Sequence, residues 1–390
     1  MRILIVLTYY RPHTSGLTIY AERLAEAFAR RGHQVTVLTS HFEKDLPYEE
    51  NQEGVRIVRV PVLFRLSKGV IMPTFGAVAN RLVLENDVIQ LHLPQFDAAG
   101  VALRGRLLKK PTVITYHCDL KMPPGLLSWA ANQAVHVMNH LAAQFTHRFV
   151  TYTEDYAVHS PYLKNHLSKL TVIRPPVELP VVTPNLIEDF AGKHNPARRR
   201  PVIGLAARFA SEKGVEVLLN ALPAILSAFP NAMVQFAGPY RKILGEEAYY
   251  DRLSPLIISY IEQGAWYFTG ELDSREMAAF YPNLDALVLP SLNSTEAFGL
   301  VQIEAMMNGV PSVASDLPGV RQPVKLHGMG RIIPIGDAQA LAESLIEVLK
   351  YPEKFRGDPN TIEQTYLPDA IALEYENLFG QILEDLRQQG

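Results

Sequence analysis

The sequence predicts an α/β protein built from two doubly wound, parallel-sheet domains in tandem. Three observations carry that reading. Short apolar runs alternate with longer helix-period segments along most of the chain, the pattern of βα units whose parallel sheet is covered by helices. The alternation breaks once, at Pro175-Pro176, Pro180, Pro184 and the polar, basic stretch 192–200, and then restarts. At 390 residues, the chain is also long for a single core, so two domains are the natural division.

In the first half, strands are expected at 3–8, 35–39, 55–60, 88–91, 112–116, 148–152 and 170–173. Residues 17–31 read as a helix, with Tyr20, Leu24, Ala27 and Phe28 on one face and Gly32 as its stop. In the second half, strands are expected at 202–206, 233–236, 266–268, 286–289 and 312–314, with helices over 214–229, 246–263 and 274–281. An amphipathic helix closes the chain at 371–387. The expected division is therefore a domain over 1–180, a linker over 181–200, a domain over 201–370 and a terminal helix over 371–390. Two doubly wound domains would place a cleft between facing carboxyl ends of strands.

Hydrophobic residues at 48% and charged residues at 20% are ordinary for a soluble globular protein. Cys118 is the only cysteine, which excludes a disulfide framework and a cysteine zinc site and fits a reducing cytoplasm. The apolar run 2–8 is too short for a signal sequence, and no apolar stretch approaches the ~18 residues of a membrane span. Net charge is −3 but uneven. Residues 1–180 carry 20 Lys/Arg against 14 Asp/Glu, and residues 181–390 carry 17 against 26. A basic first half suits an anionic acceptor or an anionic membrane surface, with a plain surface dipole as the alternative. The basic residues are scattered without a nucleic-acid motif, so nucleic acid is not an expected partner. The expected location is the cytoplasm, with the inner face of the cell membrane as a candidate peripheral contact.

Glu296 and Glu304 are the most informative pair. The apolar run 285–289 reads as a buried parallel strand, followed by the loop Pro290-Ser291-Leu292-Asn293-Ser294-Thr295 and a helix opening near Phe298-Gly299. Glu296 then lies at a strand's carboxyl end, where open α/β sheets bind ligands. Glu304 lies on the helix, and the free N–H groups of Gly299, Leu300 and Val301 at its start form an anion site. Hydroxyls held by one carboxylate, a phosphate in the middle and hydroxyls held by the other match the order of a sugar nucleotide. The plain alternative is a loop glutamate and a solvated helix glutamate.

The segment resembles the donor-binding motif of retaining glycosyltransferases of family 4, two glutamates separated by seven residues. Val313-Ala314-Ser315-Asp316-Leu317-Pro318-Gly319 resembles that family's next strand and loop, and Ala207-Arg208-Phe209 with Glu212-Lys213-Gly214 resembles its upstream motif. The resemblance runs from residue 1 to about 350 and is strongest over 201–320. It implies the GT-B architecture, two Rossmann-like domains facing across a cleft, with the terminal helix crossing back onto the first. It also implies that Glu296 binds donor-sugar hydroxyls and Glu304 the ribose.

The remaining motifs fit around that pair. Arg208 and Lys213 follow the first strand of the second half and could neutralise a diphosphate leaving group. A cation at a helix start opposes the helix dipole, which favours a functional role for Lys213 over a surface pair. No Asp-x-Asp occurs, and the Glu-x-Asp triplets at Glu43/Asp45, Glu85/Asp87 and Glu271/Asp273 have local explanations, Asp273 as a helix cap. No metal and no cofactor are therefore expected. His117 ends a strand in Thr115-Tyr116-His117-Cys118-Asp119, which resembles the family's strand-end histidine beside the reacting sugar carbon. Asp119 is a candidate to bind an acceptor hydroxyl or to orient His117, with helix capping as the alternative. Gly16, after Thr14-Ser15, would let a donor phosphate approach the first helix, although the family usually has a glycine pair here. Gly238 and Gly270 lie at later strand ends, where the family's backbone contacts the nucleobase and a turn is the alternative.

Two patterns carry less. His136 and His140 share a helix face without a third ligand, so a polar face is expected rather than a metal site. Leu126, Leu127, Ala130, Ala134, Val137, Met138 and Leu141 form a stripe expected to be core, while 123–129 is a candidate lipid-facing or acceptor-facing segment.

The expected function is transfer of a hexose, of mannose or glucose type, from a UDP- or GDP-linked donor to a hydroxyl acceptor, with retention and without metal. His117, Arg208, Lys213 and Glu296 would carry the reaction; the acceptor would be a glycan, a lipid-linked group or a free sugar. A sugar-nucleotide epimerase or phosphorylase on the same fold is the alternative enzyme. A non-catalytic sugar-nucleotide-binding protein is the alternative outside catalysis.

Overall fold

A parallel sheet covered on both faces needs central strands that are apolar on both sides, and the first strand, β1 (Arg2–Val6), meets that need with Ile3, Leu4, Ile5 and Val6 all fully buried. In this computed structural model, residues 1–66, 69–119, 126–243 and 245–388 are described, with backbone alone for 66 and 126–131. The chain divides into two units, Met1–Val177 with Tyr366–Gly390, and Glu178–Thr365.

The first unit continues through α1 (Gly16–Arg30), β2 (Gln34–His41), β3 (Glu49–Gln52), β4 (Val55–Pro61), β5 (Phe64–Leu66), β6 (Gly69–Ile71), α2 (Phe75–Glu85), β7 (Val88–Leu93), α3 (Ala98–Leu107), β8 (Thr112–Tyr116), α4 (Leu126–Phe145), β9 (Arg148–Thr151), α5 (Glu154–His159) and β10 (Leu170–Val172). Its sheet runs β10-β9-β8-β7-β1-β2-β4-β3, parallel except for the edge strand β3. That edge strand, Glu-Glu-Asn-Gln, has no apolar pattern and forms by pairing onto β4, so periodicity does not mark it. The β5–β6 hairpin stands apart from the sheet.

The first helix of the second unit lies inside the stretch expected as a linker. There α6 (Pro184–His194) opens on Thr183, whose hydroxyl accepts the N–H of Leu186, with Pro184 in the first turn. Proline there loses nothing, because the first N–H groups of a helix have no intrahelical acceptor. Pro184, read with its neighbours as an interruption of the pattern, is thus a helix start, and α6 buries Phe190, Ala191 and His194. The unit then runs β11 (Val202–Ala206), α7 (Val215–Ala228), β12 (Met233–Ala237), α8 (Glu247–Glu262), β13 (Trp266–Gly270), α9 (Ser274–Phe280), β14 (Ala286–Leu289), α10 (Leu300–Met306), β15 (Ser312–Ser315), α11 (Gln322–His327), β16 (Gly330–Ile333), α12 (Ala338–Lys350) and α13 (Pro359–Tyr366). All its strand pairs are parallel, in the order β13-β12-β11-β14-β15-β16.

The terminal helix α14 (Pro368–Gln388) belongs to the first unit, so the second unit ends at Thr365 rather than at 370. The Tyr375 hydroxyl lies 2.7 Å from that of Tyr20 and 2.8 Å from Thr115 Oγ1, tying α14 to α1 and β8. One expectation fails on α4. Val137 and Leu141 are 57% and 43% exposed, while Asn139, Ala142 and Ala143 are buried. Small side chains let this helix approach its neighbours, and of the stripe's described side chains Ala134, Val137 and Leu141 are exposed.

Candidate active site

In the second unit, β11 lies between β12 and β14. The chain leaves β11 towards β12 and leaves β14 towards β15, in opposite directions along the sheet. Loops that diverge this way open a crevice at the strands' carboxyl ends. The loop after β11 carries Arg208 and Lys213; the loop after β14 carries Glu296.

The two loops are joined. Leu292 N–H donates to the Glu212 carbonyl at 2.8 Å, and Lys213 Nζ donates to Glu296 Oε2 at 2.6 Å. Arg208 pairs with Glu212. Lys213 and Glu296 are mostly covered, with 18% and 19% of their side chains exposed. Gly214 permits the approach: its φ is +69°, and a Cβ there would stand 1.9 Å from the Pro290 carbonyl oxygen. Asn293 shapes the Glu296 loop, its Oδ1 accepting from Thr295 N–H at 3.0 Å and Thr295 Oγ1 at 2.7 Å.

At Gly299 φ is +81°, where a residue with a side chain is strained, and a Cβ would also crowd the Leu289 side chain, whose Cδ2 would stand 2.2 Å away. The N–H groups of Leu300 and Val301 lie in the first turn of α10 and have no i−4 acceptor within the helix. Glu304 is buried, and the Tyr281 hydroxyl donates to its Oε2 at 2.5 Å. Tyr281, itself fully buried, follows α9 in a segment with no motif of its own, so sequence reasoning missed it. Gly238 has φ +134° with a Cβ position 2.2 Å from the Ala207 carbonyl, and its N–H donates to the Gly270 carbonyl at 2.8 Å. Both loops there are closed by backbone. A pocket of about 330 Å³ opens beside them, lined by Phe209, Tyr240, Lys242, Glu246 and Tyr250. The Glu246 carboxylate accepts the Ser211 N–H at 2.9 Å, which links this pocket to the Lys213 loop. Asp273 caps α9 through the N–H groups of Arg275 and Glu276, the local role expected of it.

In the first unit His117 is buried and both ring nitrogens are engaged. Nε2 lies 2.7 Å from His92 Nδ1, and Nδ1 bonds to the Tyr152 hydroxyl. The Tyr20 ring stands edge-on at 5.0 Å. Burial, and then the neighbouring His92, hold the His117 imidazole well below the usual histidine range; burial lowers His92 to about 3. Both rings are neutral at pH 7. Among the described residues, no hydrogen bond joins Asp119 to His117. Asp119 Oδ1 accepts from the hydroxyls of Tyr116 at 2.9 Å and Ser160 at 2.7 Å, and its N–H donates to Tyr156. Ser15, next to Gly16, caps α1 by accepting the Thr18 N–H at 3.2 Å. The protein's own atoms leave room for a side chain at Gly16, so packing alone does not require glycine there.

Residues 187–360 match the model of the glycosyl transferases group 1, and residues 15–164 match that of a glycosyl transferase 4-like domain. The chain is a glycosyltransferase of this family. It is 24% identical to a phosphatidyl-myo-inositol mannosyltransferase of Mycobacterium leprae, over 90% of this chain and 88% of that one. It is 27% identical to a glycogen synthase of Mycobacterium tuberculosis, over 90% and 87%. Its fold matches that of Anabaena HepE in complex with UDP, with a TM-score of 0.75, 17% identity and coverage of 98% and 100%. It also matches a sucrose-phosphate synthase of Thermosynechococcus elongatus, with a TM-score of 0.73, 20% identity and coverage of 98% and 99%. The fold is GT-B, with Rossmann-like parallel-sheet domains.

Within the glycosyltransferase, Arg208, Lys213, Glu296, Gly299, Leu300, Val301 and Glu304 lie together on the loops and helix after β11 and β14, while Gly16, His117 and Asp119 lie in the first unit. Of the candidate lipid-facing segment, residues 123–125 and the side chains of 126–129 lie outside what the structure describes. His140 Nδ1 bonds to the His136 carbonyl at 2.8 Å, an intrahelical contact. Among the described residues no group of three or more His, Cys, Asp or Glu is arranged to hold a metal, and no helix is long and apolar enough to cross a membrane.

Proposed function

We propose that this glycosyltransferase takes a hexose from a nucleoside-diphosphate donor held in the second unit and passes it, with retention and without metal, to a hydroxyl acceptor. The observation that carries the reading is the Lys213–Glu296 contact at the switch point of the sheet. A cation there meets the diphosphate, with Arg208 as the second, and the open N–H groups of Leu300 and Val301 add partial positive charge. Glu296 accepts donor-sugar hydroxyls, and Glu304, steadied by Tyr281, accepts from the ribose. His117 belongs to the reacting end as a neutral group. It contacts the sugar through a ring nitrogen only by releasing His92 or Tyr152, so it is not assigned as a general base.

The relatives' names include GDP-mannose-dependent and phosphatidyl-myo-inositol transferases and a glycogen synthase, so UDP- and GDP-linked donors and both lipid and glycan acceptors enter the test. The exposed Val137 and Leu141 on α4 support a membrane surface as one source of acceptor. The experiment is turnover of UDP-glucose and GDP-mannose against these acceptors, with and without EDTA, with the product anomer read by NMR. One donor turned over equally with EDTA, giving the donor's own anomer, is the expected result. Loss of activity in EDTA, or an inverted product, would overturn the mechanism.

A further inference from the structure

We propose that the first unit carries a second ligand site, at the amino ends of its strands, that binds a phosphate monoester. A pocket of about 270 Å³ lies there, lined by Arg106, His147, Arg148, Lys169, Asp385 and Leu386 among others. His147 and Arg148 stand where β9 begins, Lys169 stands just before β10, and Arg106 lies in the last turn of α3. The His117 cluster stands at the carboxyl end of β8, on the opposite edge of the same sheet. This pocket is therefore separate from the groups discussed above.

The lining is built for an anion. His147 Nδ1 accepts the Thr112 N–H at 3.1 Å, which places the proton of the neutral ring on Nε2. Nε2 is buried and has no hydrogen-bond partner in the protein. A buried donor left unmatched is costly, and a ligand oxygen in the pocket would match it. Burial, then Arg106, Lys169 and Arg148, lower His147 to about 4, so the ring donates as a neutral group. Three cations face one carboxylate. Arg148 is only loosely held by Asp385, at 3.5 Å, and donates to the His147 carbonyl at 3.1 Å. Lys169 donates to the carbonyls of Ala143 and Thr146, both at 3.0 Å, which fixes its ammonium at the end of α4 and leaves its third N–H. The Arg106 guanidinium has no hydrogen bond or ion pair among the described residues. The net positive lining suits a dianion, and guanidinium forks suit phosphoryl oxygens. Ile382 and Leu386 supply an apolar wall for the organic part of an ester. The volume falls near the low end of small-molecule sites, about 300–1,000 Å³, and so suits a headgroup-sized ester rather than a nucleotide.

The test uses the full chain carrying Lys213→Ala, so that phosphate held at the donor site contributes little. Inorganic phosphate and glycerol 3-phosphate are titrated by thermal shift at constant ionic strength. Sedimentation with phosphatidylcholine vesicles, with and without phosphatidic acid, forms the lipid arm. Arg106→Gln and Arg148→Gln are compared with Arg81→Gln on α2 as control; Arg106 is exposed and unpaired, so its variant should fold. We expect saturable binding in at least one arm, weakened about tenfold or more by Arg106→Gln and by Arg148→Gln and unchanged by Arg81→Gln. A response to the soluble ester identifies a free metabolite; a response to phosphatidic acid alone identifies a lipid headgroup. Either supports the site. Non-saturable responses, or equal responses in all three variants, would overturn it.

Discussion

Gly214→Ala is the sharpest probe of the proposed donor site, because the structure gives its two costs separately. At φ +69° an alanine sits in the left-handed region, which costs a residue with a Cβ roughly 1–2 kcal/mol. The new Cβ would also stand 1.9 Å from the Pro290 carbonyl oxygen. Backbone cannot swing aside as a side-chain tip can, so the two loops must separate, and overpacking of this kind costs about 1–3 kcal/mol. A combined loss of about 3 kcal/mol lowers the melting temperature of a domain this size by roughly 6–12 °C. Separation also pulls Lys213 from Glu296, and a misplacement of about 1 Å can cost on the order of a hundredfold in rate. The assay pairs thermal unfolding with kcat/KM for donor turnover. Gly16→Ala serves as comparison, since a Cβ at Gly16 meets nothing within 4 Å, and its melting temperature should not change. If Gly214→Ala melts within about 2 °C of wild type and keeps its kcat/KM, the close approach of the loops does not hold the site together.

Further predictions can be checked with the same protein. Lys213→Ala should lower kcat/KM by about 10²–10³ if the ammonium stabilises the leaving group, and should also lower the melting temperature, because it leaves the mostly covered Glu296 carboxylate without its cation; a lower melting temperature with kcat/KM unchanged would mark a purely structural role. Tyr281→Phe removes a donor from the buried Glu304 carboxylate, so unfolding should cost about 1.5–3 kcal/mol less, and calorimetry should show weaker UDP or GDP binding. Stability should fall as pH drops from about 6.5 towards 4, because His92, His117 and His147 are all held below the ordinary value in the folded chain and the unfolded chain takes up their protons first. Asp97, which burial raises to about 6, acts in the opposite sense at the acid end. The clean readout is therefore a flatter melting-temperature slope between pH 7 and 5 in His92→Gln than in wild type, and an unchanged slope would refute the assignment.

The sequence displayed the sheets well, because buried parallel strands are continuous apolar runs and tertiary context reinforces them. β8, β11 and β14 coincide with their expected spans. It displayed poorly what depends on partners. β3 is polar and exists only through its pairing with β4. α6 hid behind prolines that mark a helix start as readily as a chain break. α4 has a stripe that periodicity assigns to the core, yet among its described side chains the buried ones are Asn139, Ala142 and Ala143. In the site, the spacing of Glu296 and Glu304 was visible, and so were the cations. The contact between Lys213 and Glu296 crosses 83 residues of chain and follows from strand order, which one sequence does not state. Tyr281 and the His92–His117–Tyr152 cluster were hidden for the same reason.

That contact also changes how the donor site should work. Arg208 with Glu212 and Lys213 with Glu296 make two cations matched by two carboxylates. A diphosphate therefore meets little net charge unless a cation is released from its carboxylate. If Glu296 turns to the hydroxyls of the donor sugar, Lys213 is freed towards the phosphates in the same motion. Recognition of the sugar and neutralisation of the leaving group are then one event, and a nucleotide lacking the sugar must instead separate the pair without replacing Glu296's lost partner. On the proposed roles, selectivity for an intact donor over its nucleotide product would follow from a single ion pair, because the same carboxylate would serve as the counter-ion of the lysine and as the acceptor for the sugar.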